Sequence, residues 1–144
     1  MNYEERARGW YERARLETDE FVRFLLLFIS LEVSAKLRQI ATLRQIKQAN
    51  SIRSRFYSRI DRGFLTELKL QLDEKPHQNM NQDGDHRWSG SLASVEDFDG
   101  IIEFLIRGRN NLFHGDKGID VERDQFIVRA GNRVLQPLVE AIIL

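Results

Sequence analysis

The chain of 144 residues contains no cysteine. Disulfide scaffolds, zinc–thiolate sites and cysteine nucleophiles are therefore excluded, and a reducing, cytoplasmic setting fits the composition. Proline occurs twice and glycine nine times, too sparsely to punctuate the many short strands of a β-sandwich. No apolar run reaches bilayer length. The longest, FLLLFI at residues 24–29, meets Ser30 and then Glu32 within three residues, so no membrane partner is expected. Glu4, Glu5 and Arg6 stand where the apolar core of a signal peptide would begin, and none is expected. Net charge is also missing: 22 basic residues balance 22 acidic ones, so no global field draws the protein onto nucleic acid.

What is present suits a helical domain. Hydrophobic residues make up 42% of the chain and charged residues 31%, enough for one core in a single domain spanning 1–144. The basic residues are 17 Arg against 5 Lys, a bias toward planar, bidentate contacts with phosphate or carboxylate.

Periodicity assigns the elements. Tyr3, Ala7, Trp10, Tyr11 and Ala14 recur at helical spacing. Thr18, Asp19 and Glu20 read as the start of a second helix, which meets no breaker until about Gln48. Its apolar middle is expected to be covered by several neighbours. Asn50 or Ser51 is expected to cap a third stretch. Its residues Ile52, Phe56, Ile60, Phe64, Leu68 and Leu72 recur every four, with Gly63 as a place to bend. Residues 74–91 hold Pro76, Gly84, Gly90 and many Asn, Gln and Asp, and read as a polar loop. Ser94 is expected to cap the helix that carries Phe98, Ile101, Ile102, Leu105, Leu112 and Phe113 and stops at Gly115. Asp120 is expected to cap the last one, kinked at Pro137. The fold class is therefore all-α, a four-to-five-helix up-down bundle.

The strongest local signal is RNNLFHG, residues 109–115. At about 100° per residue, Arg109 falls within the face shared by Phe98, Ile102, Leu105, Leu112 and Phe113, so its guanidinium calls for a carboxylate, a phosphate or a wet cleft. His114 lies about 140° further round, near the helix end, where the last carbonyls favour a cation. Arg107 shares the face of His114, as does Asn110.

This stretch resembles the R-x4-6-H signature of the HEPN superfamily, with Asn after the Arg and Gly after the His. Residues 10–36 (WYERARLETDEFVRFLLLFISLEVSAK) look like the long first helix of that family, and the helix from Asp120 also suits it. The resemblance implies a HEPN-like bundle acting as a metal-independent endoribonuclease, with no cofactor, in a toxin–antitoxin or antiviral-defence setting. It implies a homodimer in which two copies of the motif face one cleft, with RNA as substrate and a cognate antitoxin or acidic protein as a further partner. The alternative in the same family is a non-catalytic dimer module that binds a nucleotide, RNA or protein.

By the same resemblance His114 transfers protons, Arg109 clamps the phosphate and Asn110 orients the site, with Asn111 and Lys117 as auxiliary candidates. RNA supplies its own nucleophile, the 2′-hydroxyl, so an imidazole and a guanidinium suffice for the chemistry. Arg107 also fits the spacing, as R-x6-H. Glu32, with Ser30 and Ser34 behind it, is the candidate polar residue of the first long helix that would face the motif and pair with Arg109. Between residues 36 and 62 stand eight basic residues against one acid, Asp61. Arg44, Lys47, Arg53 and Arg55 are its candidate RNA contacts, while the Glu-rich N-terminal segment is an alternative partner for that run. Asp83, Asp85, His86 and His77 read as a solvated loop without metal-site spacing, so no metal is assigned.

Overall fold

Side-chain caps start the first two helices. The Asn2 side chain accepts the Glu5 N–H at 2.8 Å and opens α1 (Tyr3–Leu16), with Glu4 and Glu5 on the positive end of its dipole. Asp19 accepts the Val22 N–H at 3.0 Å and opens α2 (Glu20–Leu37). In this computed structural model the described residues are 2–77, 88–113 and 121–144, without the side chains of Phe113 and Val121. Among them are six α-helices, one 3-10 helix and no strand. None of these helices is long and apolar enough to cross a membrane.

The helices number more than four or five because two expected helices break. α2 does not run on to Gln48. Gln39 takes the left-handed conformation (φ 58°) and the Ile40 N–H returns to the Ala35 carbonyl at 3.0 Å, a helix-ending turn. Thr42 and Gln45 then form a capping box that opens the 3-10 helix Leu43–Gln48. The Ile52-to-Leu72 stripe is likewise two helices, α3 (Asn50–Arg59) and α4 (Arg62–Glu74). The chain does not bend at Gly63. It turns at Ile60, and the Asp61 carboxylate accepts the Gly63 N–H at 2.8 Å, starting a new helix. Neither Asn50 nor Ser51 caps α3, whose N-cap is Ala49.

The α5 helix (Phe98–Phe113) is capped by Asp97 instead of Ser94. Asp97 accepts the Gly100 N–H at 2.9 Å, while the Ser94 hydroxyl accepts the Glu96 N–H. The last helix, α6 (Val121–Ile143), contains Pro137 and continues past it. The residues expected to end α5 and cap α6, Gly115 and Asp120, lie outside the described residues.

The chain divides into two compact units, Met1–Ile60 with Val128–Leu144, and Asp61–Ile127. In the first, α2 buries Phe24, Leu27, Phe28 and Leu31, and Ser30 donates its hydroxyl to the Ala7 carbonyl of α1 at 3.0 Å. Arg8 and Arg38 donate to the Ile143 and Ile142 carbonyls at 2.9 and 3.0 Å, where the α6 dipole favours cations. Tyr11 donates to the Glu140 carboxylate, which Arg59 approaches to 4.0 Å. Burial, and then that acceptor, push the Tyr11 phenol up to about 12. In the second unit Phe64, Leu65, Leu68 and Leu72 of α4 join Leu92, Phe98 and Ile101 in the core, and Phe104 meets Phe126 edge-on at 6.5 Å.

Candidate functional site

The second unit is built around α5, which is buried at every position from 101 to 108. A helix enclosed on all sides has no single apolar face, and this changes which arginine sits deepest. Arg107 is only 6% exposed, whereas Arg109 is half-buried. The buried guanidinium inferred for Arg109 is thus that of Arg107.

Its compensation is explicit. Arg107 Nη1 donates to the His77 carbonyl at 2.6 Å and Nη2 to the Trp88 carbonyl at 3.3 Å. The guanidinium carbon lies 4.6 Å from the centroid of the Trp88 ring, a cation–π contact strengthened by desolvation. Glu103, one turn earlier on α5 and 4% exposed, brings a carboxylate to the same side of the helix. Asn111, one turn later and 2% exposed, meets His77 Nε2 through its amide nitrogen at 3.2 Å. The His77 ring stands edge-on to Phe104 at 5.4 Å and to Trp88 at 6.3 Å.

Backbone geometry completes this clamp. The His77 N–H donates to the Gly90 carbonyl at 2.9 Å, and the Trp88 indole donates to the Ser91 carbonyl at 2.9 Å. Gly90 holds φ 93°, and a Cβ there would come within 2.9 Å of the His77 oxygen, so no other residue fits without distortion. Ser91 also donates to Asp73 of α4 at 2.6 Å. Lys69 and Ser91 together hold the Asp73 carboxyl below the usual carboxylate range.

His77 is therefore no part of a solvated loop: it is 1% exposed. The sequence reading missed it and Trp88 because both stand beside polar, turn-forming residues. The available signal was the aromatic ring of Trp88, next to the Ser-Gly pair that ends the polar stretch.

The other singled-out residues fall as follows. Arg109 and Asn110 sit side by side on the last turn of α5, half-buried, with Arg109 Nη2 3.5 Å from Asn110 Oδ1. The structure thus assembles two groups from the expected set: Arg107 with Asn111 through His77, and Arg109 with Asn110. His114, Lys117, Asp83, Asp85 and His86 lie outside the described residues.

Glu32 belongs to the first unit and is exposed, because the middle of α2 is not enclosed as expected. Ser30 and Ser34 are buried and donate to the Ala7 and Leu31 carbonyls. Arg44 and Arg53 are exposed, while Lys47 and Arg55 are half-buried, along the 3-10 helix and α3. Two acids of α1 turn to its own arginines: Glu4 lies 3.6 Å from Arg8 and Glu12 lies 3.5 Å from Arg15.

Comparison of the chain with family models, with curated proteins and with solved structures finds no match.

Proposed function

We propose that the protein is a HEPN-like endoribonuclease that cleaves RNA through attack of the 2′-hydroxyl. The observation that carries this reading is the end of α5. A half-exposed Arg109 stands beside a half-exposed Asn110, and His114 follows a few residues later in the sequence. Arg107, fixed on two carbonyls and an indole, has its donors engaged in holding the fold, which favours Arg109 as the motif arginine.

In the reaction the 2′-oxygen bonds to phosphorus, the P–O5′ bond breaks, and a 2′,3′-cyclic phosphate and a 5′-hydroxyl result. His114 transfers a proton at the 2′- or 5′-oxygen, since imidazole titrates near neutrality. Arg109 neutralises the non-bridging oxygens as charge gathers in the transition state. Two chains would bring two motifs to one cleft, and a toxin or defence effector controlled by an antitoxin in the cytoplasm is the corresponding biological role. The basic stretch through Arg44, Lys47, Arg53 and Arg55 supports a polyanionic substrate.

The test is cleavage of single-stranded RNA in EDTA. Arg109→Ala is expected to lower the rate by about 10²–10³, and His114→Ala by about 10²–10⁴. Wild-type protein that binds RNA and leaves it intact would instead identify a binding module.

A further inference from the structure

The end of α5 is poor in helix formers. Gly108, Asn110 and Asn111 stand within its last six residues, and each disfavours helix relative to alanine. A terminal turn of such composition frays unless tertiary contacts hold it. This turn carries Arg109 and Asn110, the described groups of the proposed phosphate site.

His77 meets α5 at four positions. Its ring is edge-on to Phe104 at 5.4 Å, and its carbonyl accepts from Arg107 at 2.6 Å. A Cβ on Gly108 would lie 3.6 Å from its Cε1, and Asn111 Nδ2 donates to its Nε2 at 3.2 Å. Phe104, Arg107, Gly108 and Asn111 follow at steps of three, one and three, which is one face of a helix. Arg109 and Asn110 stand about 150° and 110° round from the centre of that face.

His77 is itself fixed. Its N–H donates to the Gly90 carbonyl at 2.9 Å, and its ring stands against Trp88. An amide nitrogen can only donate, so Nε2 accepts and carries no proton. The bond joins groups that are 1% and 2% exposed, where leaving a hydrogen bond unmade is expensive.

We infer that His77 is a positioning residue. Through Nε2 it holds Asn111, keeps the last turn of α5 helical, and sets the rotation at which Arg109 and Asn110 emerge on the other side. Being buried, it acts through Asn111 and not on substrate. The consequence for catalysis rests on the nuclease reading, and the fastening itself does not.

The test is hydrogen exchange of the full chain at amides 109–112, with amides 103–106 of the same helix as reference. Asn111→Ala separates the two forces on this turn. Alanine is the better helix former, so propensity alone would raise protection. Loss of the bond to His77 is expected to lower it about tenfold instead. His77→Phe keeps a ring and the backbone carbonyl, and is expected to do the same. His77→Gln places an acceptor near the position of Nε2 and is expected to restore most of the protection. In RNA cleavage, Asn111→Ala and His77→Phe are expected to lower kcat by about 10–10² with the Kd for RNA unchanged, and His77→Gln to recover it.

Unchanged or raised protection in Asn111→Ala overturns the inference. Equal loss at 103–106 in His77→Phe also overturns it, because His77 would then support the whole unit. If His77→Phe fails to fold, Asn111→Ala decides. Cleavage that is unaltered while protection falls overturns the positioning role. Wild-type protein that leaves RNA intact defeats the nuclease reading alone, and exchange then decides the fastening.

Discussion

Arg107 and Arg109 stand two residues apart on one helix in different surroundings. The first is buried, and its donors reach two carbonyls. The second is half-exposed beside Asn110. Leaving a buried hydrogen-bonding group unpaired costs about 1–3 kcal/mol, and Arg107→Ala strips the His77 and Trp88 carbonyls of their donor, so it is expected to lower the denaturation midpoint strongly. Arg109→Ala, at a half-exposed position, is expected to move it by less than about 1 kcal/mol. Urea titration of the two variants, set against their RNA cleavage, separates an arginine that holds the fold from the one proposed to act on phosphate. A large stability loss in Arg109→Ala would reverse the assignment.

A second residue-scale prediction concerns Tyr11. Its pKa is raised above the unfolded value of 10.0 to about 12, so the folded state holds the phenolic proton more tightly. The resulting stability is complete below pH 10 and is lost as pH rises toward 12. Tyr11→Phe is expected to flatten that alkaline decline. The check is stability measured between pH 9 and 12.

At the scale of elements, the helix boundaries follow caps as much as apolar spacing. Asp61 separates α3 from α4 by accepting the Gly63 N–H. Asp61→Ala is expected to destabilise the chain by about 0.5–2 kcal/mol, and urea denaturation would show it. Gly108 lies where α5 meets α6. A Cβ there would come within 2.9 Å of Ile127 and 3.6 Å of His77, so Gly108→Ala is expected to cost about 1–3 kcal/mol through overpacking.

These same details explain what the sequence made legible. The stripe of α1 and the start of α2 at Asp19 are local patterns, and they are found where periodicity and capping put them. The break after Leu37 depends on a glutamine taking φ 58°, a conformation no propensity favours for that residue. The Thr42–Gln45 capping box was visible as a spacing but was masked by the continuing helix pattern. The exposure of α2 and the burial of Arg107 are tertiary outcomes. The apolar composition of α2 implied cover on all sides, and a wheel drawn for α5 alone could not show that its middle is enclosed all round. His77 and Trp88 are joined to Arg107 across long sequence separations, which no local pattern encodes.

On the scale of the whole molecule, the balance of 22 against 22 charges conceals a gradient. From residue 36 to residue 60 there are seven basic residues and no acid. Some are engaged within the first unit: Arg38 holds the Ile142 carbonyl and Arg59 faces Glu140. Arg44 and Arg53 lie at the exposed surface. Binding of single-stranded RNA is expected to weaken with salt by about 0.7 log units per log unit of salt for each phosphate neutralised. Paired Arg44→Ala and Arg53→Ala substitutions are expected to lower that slope by about 1.4. Fluorescence anisotropy over a salt series measures it, and an unchanged slope would remove this surface from the RNA path.

The grip of Arg107 on the carbonyls of His77 and Trp88 has a practical corollary for engineering. Ten positions separate His77 from Trp88 in the sequence and both are held to α5 through one guanidinium, so Arg107 closes a loop of chain whose entropic penalty grows only logarithmically with its length.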